Sequence, residues 1–226
     1  MFRIHASHRR LATSLVGLTD AQLRQPSLLP DWTVGHVLAH IALNAEAFVS
    51  VAGDLAEGRF GVMYPGGVER RNADIEKFAV ASAHDLCAHI DRACLQFESV
   101  WPTLSDEMLQ GDFGISVGSP AGKGFDVPLR RLREVEVHHA DAGLLTFAYS
   151  DWSDSYVDSD LPVQMKTVAE RLGRSIAFVD ENGITYLCGE DAMDSEPIAT
   201  SRRNLLAWSF NRANPPELPS ILGWQR

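Results

Sequence analysis

The segment that most constrains the fold is Arg131–Gly143, which reads RLREVEVHHADAG and has the pattern of a helix. Glu134 and His138 are four residues apart, so a helix places them one turn apart on the same face. A carboxylate and an imidazole at that spacing can bind one metal ion. Both lie beside apolar residues such as Val135 and Val137, and a buried glutamate is unfavourable unless it is paired or coordinated. The segment therefore predicts an interior helix that carries two metal ligands.

A second helix-like segment, residues 32–42, reads WTVGHVLAHIA and carries His36 and His40, again four residues apart. A lone histidine in a helix is most often a polar side chain that a neighbour satisfies. His40, however, lies among apolar residues, so we expect it to face the interior. Helix bundles build metal sites from facing helices that each offer ligands to a shared interior.

Together these segments predict a metal site with three protein ligands. Ligands of the types His, Glu and His that leave a position open are typical of catalytic rather than structural zinc sites, although other divalent metals accept the same ligands. Asp141 follows His138 by three residues on the same helix face, where its carboxylate could orient that imidazole. We expect Glu136 and His139 to be turned away from the metal.

Composition and charge exclude several other functions. The chain of 226 residues has a net charge of −10 and a pI near 5.2, whereas non-specific binding of nucleic acid needs a basic surface. No run approaches the roughly 18 apolar residues of a membrane span, and the N-terminus lacks the apolar core of a signal peptide. The three cysteines include no CxxC pair. We therefore expect a cytoplasmic protein with reduced cysteines and no membrane or nucleic-acid partner.

Hydrophobic periodicity predicts an all-helical first part of the chain. Four long helices are expected, the third with a break near Ala83, at residues 3–18, 33–56, 68–101 and 128–144. The glycine-rich stretch at 111–126 is expected to form a short hairpin or an ordered loop. These elements indicate a four-helix bundle over residues 1–148.

The second part of the chain has a different pattern. The polar, aspartate-rich stretch at 149–161 is typical of a linker. It is followed by a predicted helix, two β-like runs around a turn, a final helix and a proline-rich tail, at residues 163–172, 175–179, 184–188, 204–210 and 214–226. We expect a small α/β domain at 160–226, and hence an α+β protein.

Four segments of the chain resemble one known family, the mycothiol-dependent maleylpyruvate isomerases of the DinB-like metal-binding superfamily. They are LLPDWTVGHVLAHIALNAEAF at 28–48, MYPGGVERRNADI at 63–75, RLREVEVHHADAG at 131–143 and NLLAWSFNRANPPELPSILGW at 204–224. The resemblance covers nearly the whole chain. It implies a DinB-like four-helix bundle followed by a small C-terminal α/β domain.

The resemblance also implies particular site residues. The metal triad of the family corresponds to His40, Glu134 and His138, which leaves His36 outside it. The C-terminal arginine of the family corresponds to Arg212, although Asn211 stands where the family usually has glycine. Arg212 is therefore expected in catalysis, and Arg71 in the MYPGG segment is a candidate for binding the thiol cofactor or another anion.

The implied reaction is the metal- and thiol-dependent cis-trans isomerisation of maleylpyruvate to fumarylpyruvate. Addition of a thiolate makes the double bond single, rotation follows, and the thiolate then leaves. The implied cofactors are zinc, or another divalent metal, and mycothiol or a similar small thiol; the substrate is a small anion. Two alternatives remain open at this point, a thiol S-transferase of the same fold and a non-catalytic module with a structural metal.

Overall fold

The computed structural model describes residues 1–221 of the chain. The chain divides into two compact units, Met1–Ala148 and Tyr149–Arg226. The end of the predicted proline-rich tail, residues 222–226, lies outside the described residues.

The first unit contains seven α-helices within the described residues. They are α1 (Phe2–Ser14), α2 (Asp20–Leu23), α3 (Val34–Ala56), α4 (Gly67–Ala79), α5 (Ala83–Val100), α6 (Asp106–Leu109) and α7 (Val127–Asp141). Helices α1, α3, α5 and α7 pack against one another as a bundle, and α4 packs against α3. Their buried apolar side chains form the core, among them Ile4, Leu11, Leu38, Ile41, Phe48, Leu86, Ile90, Phe97, Leu132 and Val135.

The long helix predicted at 68–101 is broken as expected. It forms α4 and α5, and Ser82 begins the second of them by accepting a hydrogen bond from the backbone N–H of Asp85. Only α5 is a helix of the bundle, whereas α4 packs against α3. The sequence did not predict this difference.

Helix α3 is the central helix of this unit, and it packs against α4, α5 and α7. Thr33 caps its start in a reciprocal arrangement with His36. By length and composition it is the one helix among the described residues that could cross a membrane, but most of it is buried inside the unit. The apolar surface of α3 is therefore that of a core helix.

The predicted glycine-rich hairpin is present. Strands β2 (Asp112–Gly114) and β3 (Pro120–Lys123) pair antiparallel, and β1 (Gly61–Val62) adds to β2 in parallel. The resulting three-stranded sheet has the order β1-β2-β3.

The second unit begins with a helix where the sequence predicted a linker. Helix α8 spans Asp154–Leu172, so the prediction for 149–161 is wrong from its sixth residue onward. The linker was predicted from the many acidic residues of this segment. Apolar side chains, however, recur among them at helical spacing. Val157, Leu161, Met165 and Val168 are all buried, which is the stripe of an amphipathic helix.

The rest of the second unit is the expected mixture of strands and helix. Strands β4 (Ile176–Val179) and β5 (Thr185–Cys188) form an antiparallel hairpin, and β6 (Ile198–Ala199) pairs with β4 in parallel. Helix α9 (Arg202–Ser209) packs against α8. Trp208 on α9 is buried and donates a hydrogen bond from its indole nitrogen to the carbonyl oxygen of Pro219, 2.8 Å away.

A buried arginine forms hydrogen bonds with three other helices of the bundle. Arg131 on α7 is fully buried, and its guanidinium group donates hydrogen bonds to helices α1, α3 and α5. The acceptors are His8 Nε2 at 3.3 Å, the Ile41 carbonyl and Asn44 Oδ1 at 2.9 Å each, and Cys94 Sγ at 3.4 Å. A buried cation is costly unless its N–H groups are satisfied, so these bonds specify how α7 sits against the other three helices.

The first prediction concerns two glycines of α3, of which only Gly35 lies in close contact with α4. A Cβ atom on Gly35 would lie 2.4 Å from the carbonyl oxygen of Ala79, whereas one on Gly53 would meet nothing within 4 Å. We expect Gly35→Ala to lower the free energy of unfolding by about 1–3 kcal/mol, because backbone must move. Gly53→Ala is the control and should raise it by about 0.5–1 kcal/mol. Urea denaturation measures both, and a stable Gly35→Ala protein would contradict the close approach.

The second prediction concerns His8, which donates from Nδ1 to Glu98 at 2.7 Å and accepts from Arg131 at Nε2. Burial, together with the nearby charge of Arg131, lowers the pKa of His8 from 6.5 to about 2. A neutral His8 therefore stabilises the fold above pH 6.5, and this stability is lost as the pH falls toward the folded pKa. We expect a loss of about 2 kcal/mol between pH 6.5 and 4.5.

The matched variant is His8→Gln, because glutamine can make both hydrogen bonds without binding a proton. Its free energy of unfolding should fall less steeply with acid than that of the wild type. Parallel pH profiles for the two proteins would show that His8 does not carry this effect.

Candidate metal centre

Three predicted ligands from two helices converge in the first unit. His40 projects from α3, and Glu134 and His138 project from α7. His40 Nε2 lies 2.9 Å from Glu134 Oε2, and His138 Nε2 lies 3.5 Å from the same oxygen. All three ligand atoms lie within 4.8 Å of one another, and among the described residues no other group of this kind is found. One ion could therefore contact all three.

The environment gives two of these residues the protonation states that a metal ligand needs. Burial lowers the pKa of His40 to about 4, so its imidazole is neutral at pH 7. Burial alone would raise the pKa of Glu134, but the hydrogen bond from His40, together with the nearby charge of Arg131, outweighs burial and brings the pKa to about 2. Neutral imidazole and ionised carboxylate are the forms that bind metal. The donor set and its protonation thus fit a divalent metal such as zinc.

Asp141 lies where the helical spacing predicted it. Its Oδ2 is 2.9 Å from Nδ1 of His138, and its side chain is 2% exposed. In a neutral imidazole, a proton on Nδ1 that is held by a carboxylate leaves the lone pair of Nε2 available to a metal. The imidazole rings of His40 and His138 are arranged edge to face, with their centroids 4.6 Å apart.

His36 lies outside the cluster. Its Nδ1 is 2.7 Å from the hydroxyl of Thr33, and its Nε2 is 3.2 Å from Glu76 Oε2. The ring also stacks on Trp32, with centroids 6.2 Å apart. His36 therefore caps the start of α3 and is not part of the three-residue cluster.

Arg71, on α4, lies beside the cluster. Its Nη2 is 3.0 Å from Nδ1 of His40, and its guanidinium carbon is 5.8 Å from the centre of the Tyr64 ring. Arg71 and Tyr64 both line a cavity of about 210 Å³ between α3 and α4. Glu46 and Asp74 also line the cavity.

Sequence reasoning did not find the roles of Tyr64, Glu136 and His139. Tyr64 lies in a loop before α4, where no periodicity shows which way a side chain points. Glu136 and His139 were expected to be turned away from the metal, which holds, but both are buried. Glu136 pairs with Arg10 of α1, and His139 stacks on Phe147 with centroids 3.9 Å apart. The sequence feature that could have indicated this burial is the position of both residues among apolar residues of α7.

Arg212 belongs to the second unit. It follows α9, and its Nη1 donates to the carbonyl oxygen of Phe210 at 2.7 Å. The preceding Asn211 has a positive φ of 58°. Glycine adopts this left-handed conformation most readily, and asparagine is among the few other residues that tolerate it. The replacement of the usual glycine by Asn211 is therefore compatible with the turn that presents Arg212.

Comparisons with known proteins agree with the sequence motifs. The sequence model of one family, described as the mycothiol maleylpyruvate isomerase N-terminal domain, matches residues 4–143. No curated protein that was compared matches the chain.

Two solved structures are similar to the chain over its whole length. One is a crystal structure of the mycothiol-dependent maleylpyruvate isomerase, with a TM-score of 0.83, and the other is a histidine-to-alanine mutant of that enzyme, with a TM-score of 0.82. Each is 18% identical in sequence, and each alignment covers 99% of this chain and 95% of the other. The predicted α+β fold, with a DinB-like bundle, is thus confirmed. Since the family model covers more than half of the sequence, the chain belongs to the mycothiol maleylpyruvate isomerase family.

Proposed function

We propose that this protein is a metal- and thiol-dependent cis-trans isomerase that converts maleylpyruvate to fumarylpyruvate. The observation that carries the proposal is the convergence of His40, Glu134 and His138 within 4.8 Å in the bundle. Family membership supports the reaction class. Zinc is the proposed metal, although other divalent metals accept the same ligands, and mycothiol or a similar small thiol is the proposed cosubstrate.

The residues of the chain have separate tasks in this proposal. His40, Glu134 and His138 would hold the metal, and Asp141 would orient His138. A bound zinc would supply a Lewis acid that converts a thiol, with an ordinary pKa near 8.5, to the more nucleophilic thiolate. Arg71 and Arg212 would bind the carboxylates of the substrate or thiol, because a chain of net charge −10 needs local cations to hold an anion.

The cysteines of the chain support the use of an external thiol. Cys94 and Cys188 are buried, and burial raises the pKa of Cys188 to about 11. Burial also raises the pKa of Cys87 and of Cys94. A raised pKa leaves little thiolate at neutral pH, so none of the three is a good nucleophile. All three are free, which suits the proposed cytoplasmic location.

The central test compares three histidines. Wild-type protein should hold about one zinc per chain and isomerise maleylpyruvate when mycothiol is present. We expect His40→Ala and His138→Ala to lose both zinc and activity, since each leaves only two protein ligands. His36→Gln, a change on the same helix but outside the cluster, should keep both. Metal analysis and an assay with mycothiol, glutathione or no thiol measure these outcomes.

The same assay separates the alternatives. Retained zinc with thiol-dependent consumption of other electrophiles, and none of maleylpyruvate, would identify a thiol S-transferase. Retained zinc with no thiol-dependent turnover would identify a non-catalytic module. Zinc retained by both His40→Ala and His138→Ala would exclude the proposed centre.

A further prediction concerns Arg212. We expect Arg212→Ala to keep its zinc and its thermal stability but to lose most thiol-dependent activity, about 100-fold, because a charge-assisted bond to an anion contributes about 1.5–3 kcal/mol. Arg174, an exposed arginine of the same unit, offers the control, and Arg174→Ala should resemble the wild type. Wild-type turnover in Arg212→Ala would show that Arg212 has no role in the proposed reaction.

A further inference from the structure

The contact between Arg71 and His40 imposes a constraint on the metal centre. Arginine has only donors, so Nδ1 of His40 must accept the hydrogen bond from Arg71 Nη2 at 3.0 Å. A neutral imidazole that accepts at Nδ1 carries its proton on Nε2. That proton fits the observed 2.9 Å contact between Nε2 and Glu134 Oε2, in which Nε2–H donates to the carboxylate.

Metal binding at Nε2 requires the opposite arrangement of the same ring. Nε2 must then present its lone pair, the proton moves to Nδ1, and Nδ1–H needs an acceptor. His138 meets this requirement because Asp141 Oδ2 lies 2.9 Å from its Nδ1. His40 does not, because the group at its Nδ1 is the guanidinium of Arg71, which can only donate.

We propose that the hydrogen bond from Arg71 to His40 competes with metal binding, and that the metal displaces the guanidinium group from His40. This inference rests on the proposed metal centre. It makes Arg71 a positioning residue that weakens metal binding when it contacts His40.

The cavity beside Arg71 can hold the displaced guanidinium group. Arg71 is half-buried and lines the cavity of about 210 Å³ with Tyr64, Glu46 and Asp74. The Tyr64 ring lies 5.8 Å from its guanidinium carbon, within the range of a cation–π contact. The side chain can therefore leave Nδ1 without losing its polar and aromatic neighbours.

Displacement also couples the metal to the anion of the proposed reaction. Once it leaves His40, the guanidinium has donors available in the cavity for a carboxylate. By linkage, an anion that holds Arg71 in the cavity strengthens metal binding by the same factor by which the metal strengthens anion binding. The metal centre would then be most firmly formed when the anionic ligand is present.

The test measures zinc affinity, by competition with a chromophoric chelator, in the full-length protein. Arg71→Met removes the donors and keeps most of the side-chain length, so it should bind zinc about tenfold more tightly than the wild type, the usual scale for groups next to a metal ligand. Arg71→Lys keeps a charge and a donor and should stay within about threefold of the wild type. The matched control is Lys77→Met, because Lys77 is an exposed cation of the same helix and is not among the residues that line the cavity; its zinc affinity should be unchanged.

Nitrogen-15 NMR supplies a second readout that does not depend on affinity. The signal of the Arg71 side chain, identified by its loss in Arg71→Met, should shift when zinc is added to the wild type, and the protonated nitrogen of His40 should change from Nε2 to Nδ1. An unshifted Arg71 signal at zinc saturation, or an Arg71→Met protein with unchanged or weaker zinc affinity, would overturn the inference. A wild type that binds no zinc would instead overturn the proposed centre itself, so the two failures are distinguishable.

Discussion

The packing of α7 against α3 is the interaction on which the rest of the first unit depends. Arg131 is fully buried and donates to the Ile41 carbonyl and to Asn44 on α3. It precedes Glu134 by one turn of α7, and Ile41 follows His40 directly. Because a buried guanidinium group is costly unless its donors find fixed acceptors, these bonds set the relative position of the two helices. The pairing of His40 with Glu134 is one consequence of that position.

The electrostatics of the cluster follow from the same packing. Glu134 is a carboxylate in a mostly buried place, and burial alone would raise its pKa; it stays ionised because the hydrogen bond from His40 and the nearby charge of Arg131 lower the pKa to about 2. His40 stays neutral because burial disfavours its cation more than Glu134 favours it. A site that keeps its acid ionised and its imidazole neutral has the charge distribution of a metal centre before any metal is considered.

The errors in the sequence analysis have physical causes. The segment at 149–161 was predicted to be a linker because its polar residues dominate the composition, yet buried Tyr156 and Val157 begin the apolar stripe of α8. The segment at 68–101 was predicted to be one broken bundle helix, yet only α5 belongs to the bundle, whereas α4 packs against α3. In both segments the burial of a residue depends on what packs against it, which local composition does not contain.

The sequence by itself determined which residues share a helix face. The spacings of four and three residues align Glu134, His138 and Asp141 on α7, because the helix repeats every 3.6 residues. The tertiary structure decided which residue of another helix meets that face. His36 and His40 have the same local spacing, but only His40 faces α7, while His36 caps α3. The contacts of Arg71 with His40 and of Arg131 with α3 join residues 31 and 90 positions apart. Spacing along one helix sets an angle about its own axis and leaves open its neighbours and their register, which depend on how all the helices pack.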